Sequence, residues 1–153
     1  MIDDLEKVSL LQGVTPQQLD EIGGFCSLLM LSDGDMLIQE SDSEDSDIYL
    51  LIQGAVEIVS NNTMVTSGEV VISKEDKDVF GEIAWLTGSS RTASVRCHGN
   101  VQAIKVDGVA LNAYMEDNPE VGYRIMREIA LTQSRRMQRT DSLLKQILWN
   151  SLL

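Results

Sequence analysis

The sequence predicts a mainly β chain with flanking helices: an antiparallel β-barrel or sandwich, preceded by short N-terminal helices and followed by a long C-terminal helix. Three observations carry that prediction. Seven short apolar runs, "LLML", "DMLI", "DIYLLI", "AVEIVS", "EVVIS", "ASVRC" and "VQAIKV", crowd between Ser27 and Asp107, with turn residues such as "SDGD", "QG", "SNN" and "HGN" among them. A short, well-capped helical pattern stands before them. After them the hydrophobic period lengthens to that of helices.

Taken in order, "GVTPQQLDEIGG" sets Thr15 as N-cap, Pro16 as the first helical residue and Gln18 as the third, a capping-box arrangement for a helix ending near Gly23 and Gly24. The acidic run "ESDSEDSD", Glu40 to Asp47, alternates carboxylates with serines but lacks the glycine and terminal glutamate of an EF-hand loop. It reads as a solvated turn before the next strand. After Val106, Asp107 is set to cap "GVALNAYME", and Pro119 in "DNPE" opens a helical run that reaches Leu153.

Alternating steps of four and three along that run pick out Met126, Ala130, Gln133, Met137, Thr140, Leu144, Ile147 and Ser151, of which five are apolar. Two uses of this seam stay open: a face lying on the barrel, or a parallel dimer seam in which Gln133 and Thr140 set the register. No glycine cap follows Leu148, so the helix is expected to fray or to belong to a longer protein.

A chain of 153 residues suits a single domain. Its expected parts are N-terminal helices over 1–26, a barrel over 27–107 and C-terminal helices over 108–153. The formal charge of −12 repels a phosphate backbone, so nucleic-acid binding is disfavoured, and the basic cluster "SRRMQR", Ser134 to Arg139, reads as a solvated helix face. Cys26 and Cys97 form no metal-type spacing, the N-terminus lacks the marks of a signal peptide, and no stretch reaches roughly 18 consecutive apolar residues. The expectation is a cytoplasmic protein with free thiols and no membrane span.

The chemistry concentrates in "VFGEIAWLTGSSRTASV", Val79 to Val95. Gly81 offers a backbone turn into a short helix, whose first amides lack internal acceptors and carry a partial positive charge. Such an end attracts anions. Arg91, a few residues on, adds a permanently charged fork that matches phosphate oxygens. Glu82 is acceptor-only and fits a sugar hydroxyl. A phosphate beside a ribose 2′-OH satisfies both residues at once, which describes a nucleotide, and the compactness points to a cyclic one.

"FGEIAWLTGSSRTASV" resembles the phosphate-binding cassette of the cyclic nucleotide-binding domain family, F-G-E-[LI]-A followed after a short gap by R-[TSA]-A. Phe80, Gly81, Glu82, Ile83, Ala84, Arg91 and Ala93 all agree with it. "LLQGVTPQQLDEI", "SDGDMLIQE" and "DIYLLIQGAVEI" are similar to the family's first helix, Gly-acidic turn and Tyr-to-Gly hairpin. "RRMQRTDSLL" is similar to the long dimer helix of bacterial catabolite activator proteins.

The resemblance implies a jelly-roll barrel, or double-stranded β-helix, with its cassette over 80–95. It implies that Glu82 accepts from the ribose 2′-OH, that Arg91 pairs with a phosphate oxygen, and that amides near Ile83, Ala84 and Thr92 complete the cradle. Thr92 permits cGMP as well as cAMP. Thr140 falls where activator proteins contact the adenine amino group. Asp141 departs from the usual Ser, and Trp85 from the commoner Leu or Phe. Ile83 and Trp85 are expected to anchor the turn to the barrel.

Glu82 and Arg91 alone would suit a salt bridge stapling a loop, worth about 0–1 kcal/mol at a surface. Ser94 is explained by strand alternation. The adjacent Cys97 and His98 point to opposite faces of a strand, which disfavours metal or haem ligation. No nucleophile, base and orienter stand at suggestive spacing, so no catalytic residues, no cofactor and no enzyme are expected. Two functions remain: a cAMP or cGMP sensor that signals by moving its C-terminal helix, or a structural or dimerisation module that no longer binds the nucleotide. Expected partners are the cyclic nucleotide, a second copy through the C-terminal helix, and an unidentified effector. With no helix-turn-helix before Leu153, DNA binding is not expected of these residues.

Overall fold

The computed structural model describes residues 2–42, 44–59, 72–74 and 79–151. Helix α1 (Ile2–Leu5) and a 3-10 turn (Ser9–Leu11) lead to α2 (Pro16–Gly23). The capping box of α2 forms: the Gln18 amide donates to Thr15 Oγ1 at 3.3 Å and the Thr15 amide to Gln18 Oε1 at 3.0 Å. The strands among the described residues are β1 (Cys26–Leu31), β2 (Met36–Ile38), β3 (Ile48–Val59), β4 (Ile72–Lys74), β5 (Val79–Phe80) and β6 (Ser94–Val106). Helix α3 (Glu82–Thr87) lies between β5 and β6, and α4 (Gly108–Asp117) and α5 (Pro119–Ser151) follow. Asp107 caps α4 as its position suggests, its carboxylate accepting from the amides of Val109 at 3.0 Å and Ala110 at 2.9 Å.

The strands are fewer and longer than the apolar runs imply. "DIYLLI" and "AVEIVS" merge into β3, and "ASVRC" and "VQAIKV" into β6, because neither "QG" nor "HGN" reverses the chain. Gly54 (φ 106°) and Gly99 (φ 72°) bend the strands, and the β3–β6 register shifts between Leu51 and Ala55. "SDGD" does turn, its Ser32 amide donating to Asp35 Oδ2 at 2.8 Å. The expected "SNN" turn and the start of "EVVIS" lie outside the described residues.

All pairings are antiparallel, in the order β1-β6-β3-β4, with β2 on β6 and β5 on β3. Hydrogen bonds among the described residues do not close the sheet. Alternation along the strands explains its burial. Ile48 and Leu50 of β3, with Ile104 and Val106 of β6, face a core shared with the helices. Tyr49 and Leu51, with Val101 and Ala103, face a second core inside the sheet. Apolar on both faces, β3 reads as a continuous hydrophobic run.

Helix α5 buries only its first half, through Val121, Gly122, Ile125 and Ile129. Ile125 and Ile129 are 0% and 2% exposed, so cutting either to Ala costs about 2–5 kcal/mol. From Met137 to Ser151 every side chain is exposed. The seam picked out by spacing is therefore not the face that grips the barrel: Met137, Leu144 and Ile147 are 65%, 53% and 64% exposed.

Both thiols are sheltered. The Cys26 thiol donates to the Ile22 carbonyl at 3.2 Å, and burial pushes its pKa up to about 12. Cys97 is 2% exposed and is raised by burial and by the charges of Asp35 and Asp33. At pH 8 the Cys26 thiol, with its pKa near 12, is about one part in ten thousand thiolate. Native protein is therefore expected to show no fast reaction with an aromatic disulfide reagent, and to release both thiols only in denaturant. A rapidly titrating thiol in native protein would contradict this environment for Cys26.

Candidate functional site

Strand β5 delivers the chain to Gly81, whose φ of 84° turns it into α3. A Cβ at Gly81 would lie 2.5 Å from Arg91 Nη1 and 2.7 Å from the Asp47 carbonyl, so space and conformation both require glycine. The Trp85 amide closes the first turn on Gly81 O at 3.2 Å, leaving the amides of Glu82, Ile83 and Ala84 ahead of it. Trp85 is buried, as expected of an anchor, and its indole donates to Gly108 O at 2.9 Å. Ile83 is not an anchor. It is 45% exposed, because α3 turns that face toward the opening of a cavity.

That cavity, about 140 Å³, is lined by Gly81, Glu82, Ile83, Ala84, Arg91, Thr92 and Ala93. Ile38, Ile58, Phe80 and Val95 complete an apolar wall, and Arg136 reaches in from α5. Seven of the eight residues singled out in the sequence are thus brought together. The eighth, Thr140, lies outside the lining; it is exposed one turn beyond Arg136, its hydroxyl donating to the Arg136 carbonyl at 3.1 Å.

Glu82 and Arg91 do not staple one another; each has its own partners. The Arg91 side chain is only 2% exposed. Its Nη1 donates to Gly81 O at 2.8 Å, and its Nη2 donates to Asp47 O at 2.6 Å and meets Asp45 Oδ1 at 2.8 Å. Tyr49 donates to Asp45 Oδ2 at 3.0 Å and sets its ring 5.8 Å from the guanidinium. The Arg91 backbone is held too, its amide donating to Asp42 O and its carbonyl accepting from Ser41, both at 2.9 Å. The acidic run is therefore more than a solvated turn: it is the seat of a buried cation. Arg91 Nε, also buried, has no partner among the described residues.

Burial alone would raise the Asp45 carboxyl, but the Asp47 amide, the Arg91 guanidinium and the Tyr49 hydroxyl together hold it below its ordinary value. Burial and the Asp45 charge raise Tyr49, which keeps it a donor.

Glu82 is 2% exposed and is met from α5. Its Oε1 accepts from Arg136 Nη1 at 2.6 Å and from Gln133 Nε2. Arg136 also donates to Val79 O and lies 5.8 Å from the Phe80 ring. "SRRMQR" is thus not solvated throughout, since Arg136 stands seven residues after Ile129 and continues its buried stripe. That spacing was the signal for it, and no local pattern marked Asp45. Ser94 does more than alternate: its hydroxyl accepts from the Glu40 amide at 2.9 Å. His98 is exposed while Cys97 is buried, as strand alternation requires.

The site joins an enclosed cation, a carboxylate and an apolar wall, which suits a compact anion carrying a hydroxyl. The sequence profile described as "Cyclic nucleotide-binding domain" matches residues 28–118. The CRP-like cAMP-activated global transcriptional regulator of Mycobacterium tuberculosis is 24% identical over 152 residues, 99% of this chain and 65% of that protein. The cAMP-dependent protein kinase regulatory subunit of Dictyostelium discoideum is 28% identical over 111 residues, 71% of this chain and 33% of that protein. The chain therefore spans less than two thirds of either relative. A solved cyclic nucleotide-binding domain from Methylobacillus flagellatus superposes with a TM-score of 0.79 at 15% identity, covering 95% of this chain and 81% of that one.

Because the folded-state pKa of Asp45 is depressed, its stabilising effect is present above the unfolded value of about 3.9 and is lost as pH falls through the folded value. Asp45→Asn is expected to lower the urea midpoint at pH 7, with the gap to wild type closing as pH falls from about 4 through the more acid range. A gap that stays constant across that range would mean the Asp45 charge does not hold Arg91.

Proposed function

The chain belongs to the cyclic nucleotide-binding domain family, and we propose that residues 1–153 form one domain sensing cAMP or cGMP in the cavity between α3, β6 and α5. One observation carries this reading: Arg91, a lining residue of the cavity, almost fully enclosed and fixed by three acceptors, keeps a buried Nε–H with no partner among the described residues. A phosphate oxygen supplies the missing acceptor in a charge-assisted bond. The amides near Ile83, Ala84 and Thr92 add donors, and Gly81 and Ala93 let the phosphate approach the backbone.

Both contacts of Glu82 among the described residues fall on Oε1, which leaves Oε2 to accept the ribose 2′-OH. A cavity of about 140 Å³ takes the phosphate and ribose while the purine extends outward, past Thr92 and along α5 toward Thr140. A ribose at Glu82 meets the Arg136 and Gln133 contacts of α5, so ligand binding and the position of that helix are linked, which is the basis of the signal. The exposed apolar side chains of Met137, Leu144 and Ile147 fit a homodimer seam. The effector is a further domain or protein. Catalysis and DNA contact are assigned to neither the cavity nor α5. No described helix is long and apolar enough to cross a membrane, in keeping with a cytoplasmic setting.

A second reading has one observation in its favour. Arg136 and Gln133 already occupy Glu82, and Asp45 already balances Arg91, so the charges are matched without a nucleotide, as a purely structural or dimerisation module requires.

Titration calorimetry with cAMP and cGMP separates the two. The sensor reading expects heat with at least one nucleotide and binding weakened about 10- to 150-fold in Arg91→Lys, the range for a lost charged hydrogen bond. No heat with either nucleotide favours the structural module. The 2′-deoxy analogue should bind weakly as well; affinity equal to the parent nucleotide would remove Glu82 from the ribose. For the dimer, Leu144→Glu with Ile147→Glu should convert the sedimenting species to monomer without loss of helicity, and an unchanged mass would exclude that seam.

A further inference from the structure

The cavity is connected to the start of α4 by a closed ring of hydrogen bonds. Gly81 O accepts both from Arg91 Nη1 at 2.8 Å and from the Trp85 amide at 3.2 Å. The Trp85 indole donates to Gly108 O at 2.9 Å, and the Gly108 amide donates to Asp47 Oδ1 at 3.1 Å. Asp47 O accepts from Arg91 Nη2 at 2.6 Å, which returns to the guanidinium. Both backbone groups of Gly108, the first residue of α4, are thus held by groups that also bear on Arg91.

We infer that Trp85 and Asp47 are positioning residues that transmit occupancy of the cavity to α4 through Gly108. The inference rests on the nucleotide-sensing reading for its trigger, while the ring stands without it. An anion pulling on Arg91 shifts the two carbonyls that the guanidinium grips, Gly81 and Asp47, and these are the two arms that end on Gly108. The joint has no slack. A Cβ at Gly108 would lie 2.1 Å from Ser46 O and 2.7 Å from Trp85 Cδ1. Lys105 Nζ, 2.8 Å from Asp47 Oδ2, keeps that carboxylate in place.

Beyond Gly108 the movement has a solid path. Asp107 caps α4, and Gly122 of α5 packs so closely on Met115 that a Cβ there would approach its side chain and carbonyl to 3.2 Å. Here the departure at position 85 acquires a reason. Leu or Phe would fill the same buried space but carries no N–H for Gly108.

Hydrogen exchange across the full chain tests the joint, first without nucleotide. Trp85→Phe and, separately, Asp47→Ala should each speed exchange in the first turn of α4 about five-fold, and Asp47→Asn, which retains an acceptor oxygen, should restore it. Exchange at the wild-type rate in both disruptive variants overturns the joint whatever nucleotides do. With cAMP and then cGMP as probes, wild type should change its exchange in α4 and α5. Trp85→Phe should bind within about three-fold of wild type yet lose more than half of that change. A full α4 response in Trp85→Phe, or binding by wild type with no α4 response, overturns transmission while leaving nucleotide sensing intact. Absence of binding by wild type to either nucleotide fails the sensing reading and with it the trigger.

Discussion

A guanidinium removed from water is among the most expensive groups a fold can hold, with a penalty of several kcal/mol unless its charge and donors are matched. Arg91, 2% exposed, is the residue around which this chain is arranged. Asp45 supplies the counter-charge, Gly81 and Asp47 supply carbonyls, and Tyr49 supplies a ring face and a proton for Asp45. Each supporter has its own constraint in turn. Gly81 admits no side chain, the Asp45–Asp47 turn is fixed by a 2.9 Å hydrogen bond from the Asp47 amide to Asp45 Oδ1, and Tyr49 stands on the central strand. The strong negative charge of the chain gives a misleading picture of the cavity, because three of its acidic residues, Asp45, Asp47 and Glu82, are consumed in fixing cations.

A second constraint is geometric. Strands β3 and β6 carry apolar side chains on both faces, so helices must cover one face while the sheet folds round the other. Helix α5 answers the first demand with its opening turns, and its next turns bring Gln133 and Arg136 to Glu82. One helix therefore has a part fixed by packing, a part that touches the cavity and a part that faces water. These parts differ in what holds them, so a change at the cavity can shift the helix without dissolving the core.

Much of the fold was legible because it is written locally. The Thr15 capping box, the Asp107 cap and the Pro119 helix start involve residues two to four apart, and all formed. The cassette was legible for the same reason, since Gly81 through Ala84 and Arg91 through Ala93 come to one cavity within a short loop. Strand number was misjudged because glycine serves equally for a reversal and for a bend. At Gly54 and Gly99 the long β3–β6 pairing carries the chain through a bend rather than a reversal.

What the sequence determined by itself was the order of elements, their caps, and the local segment that lines the cavity. Only the tertiary structure decided which groups pair. Arg91 meets Asp47 across 44 positions, Glu82 meets Arg136 across 54, and the Trp85 indole meets Gly108 across 23. Local spacing fixes caps and turns because the chain can move only two dihedrals per residue over so short a reach. Pairings over such distances have no period to betray them. They depend on how the sheet folds and where α5 lies against it, and on the cost of leaving a buried charge without a partner.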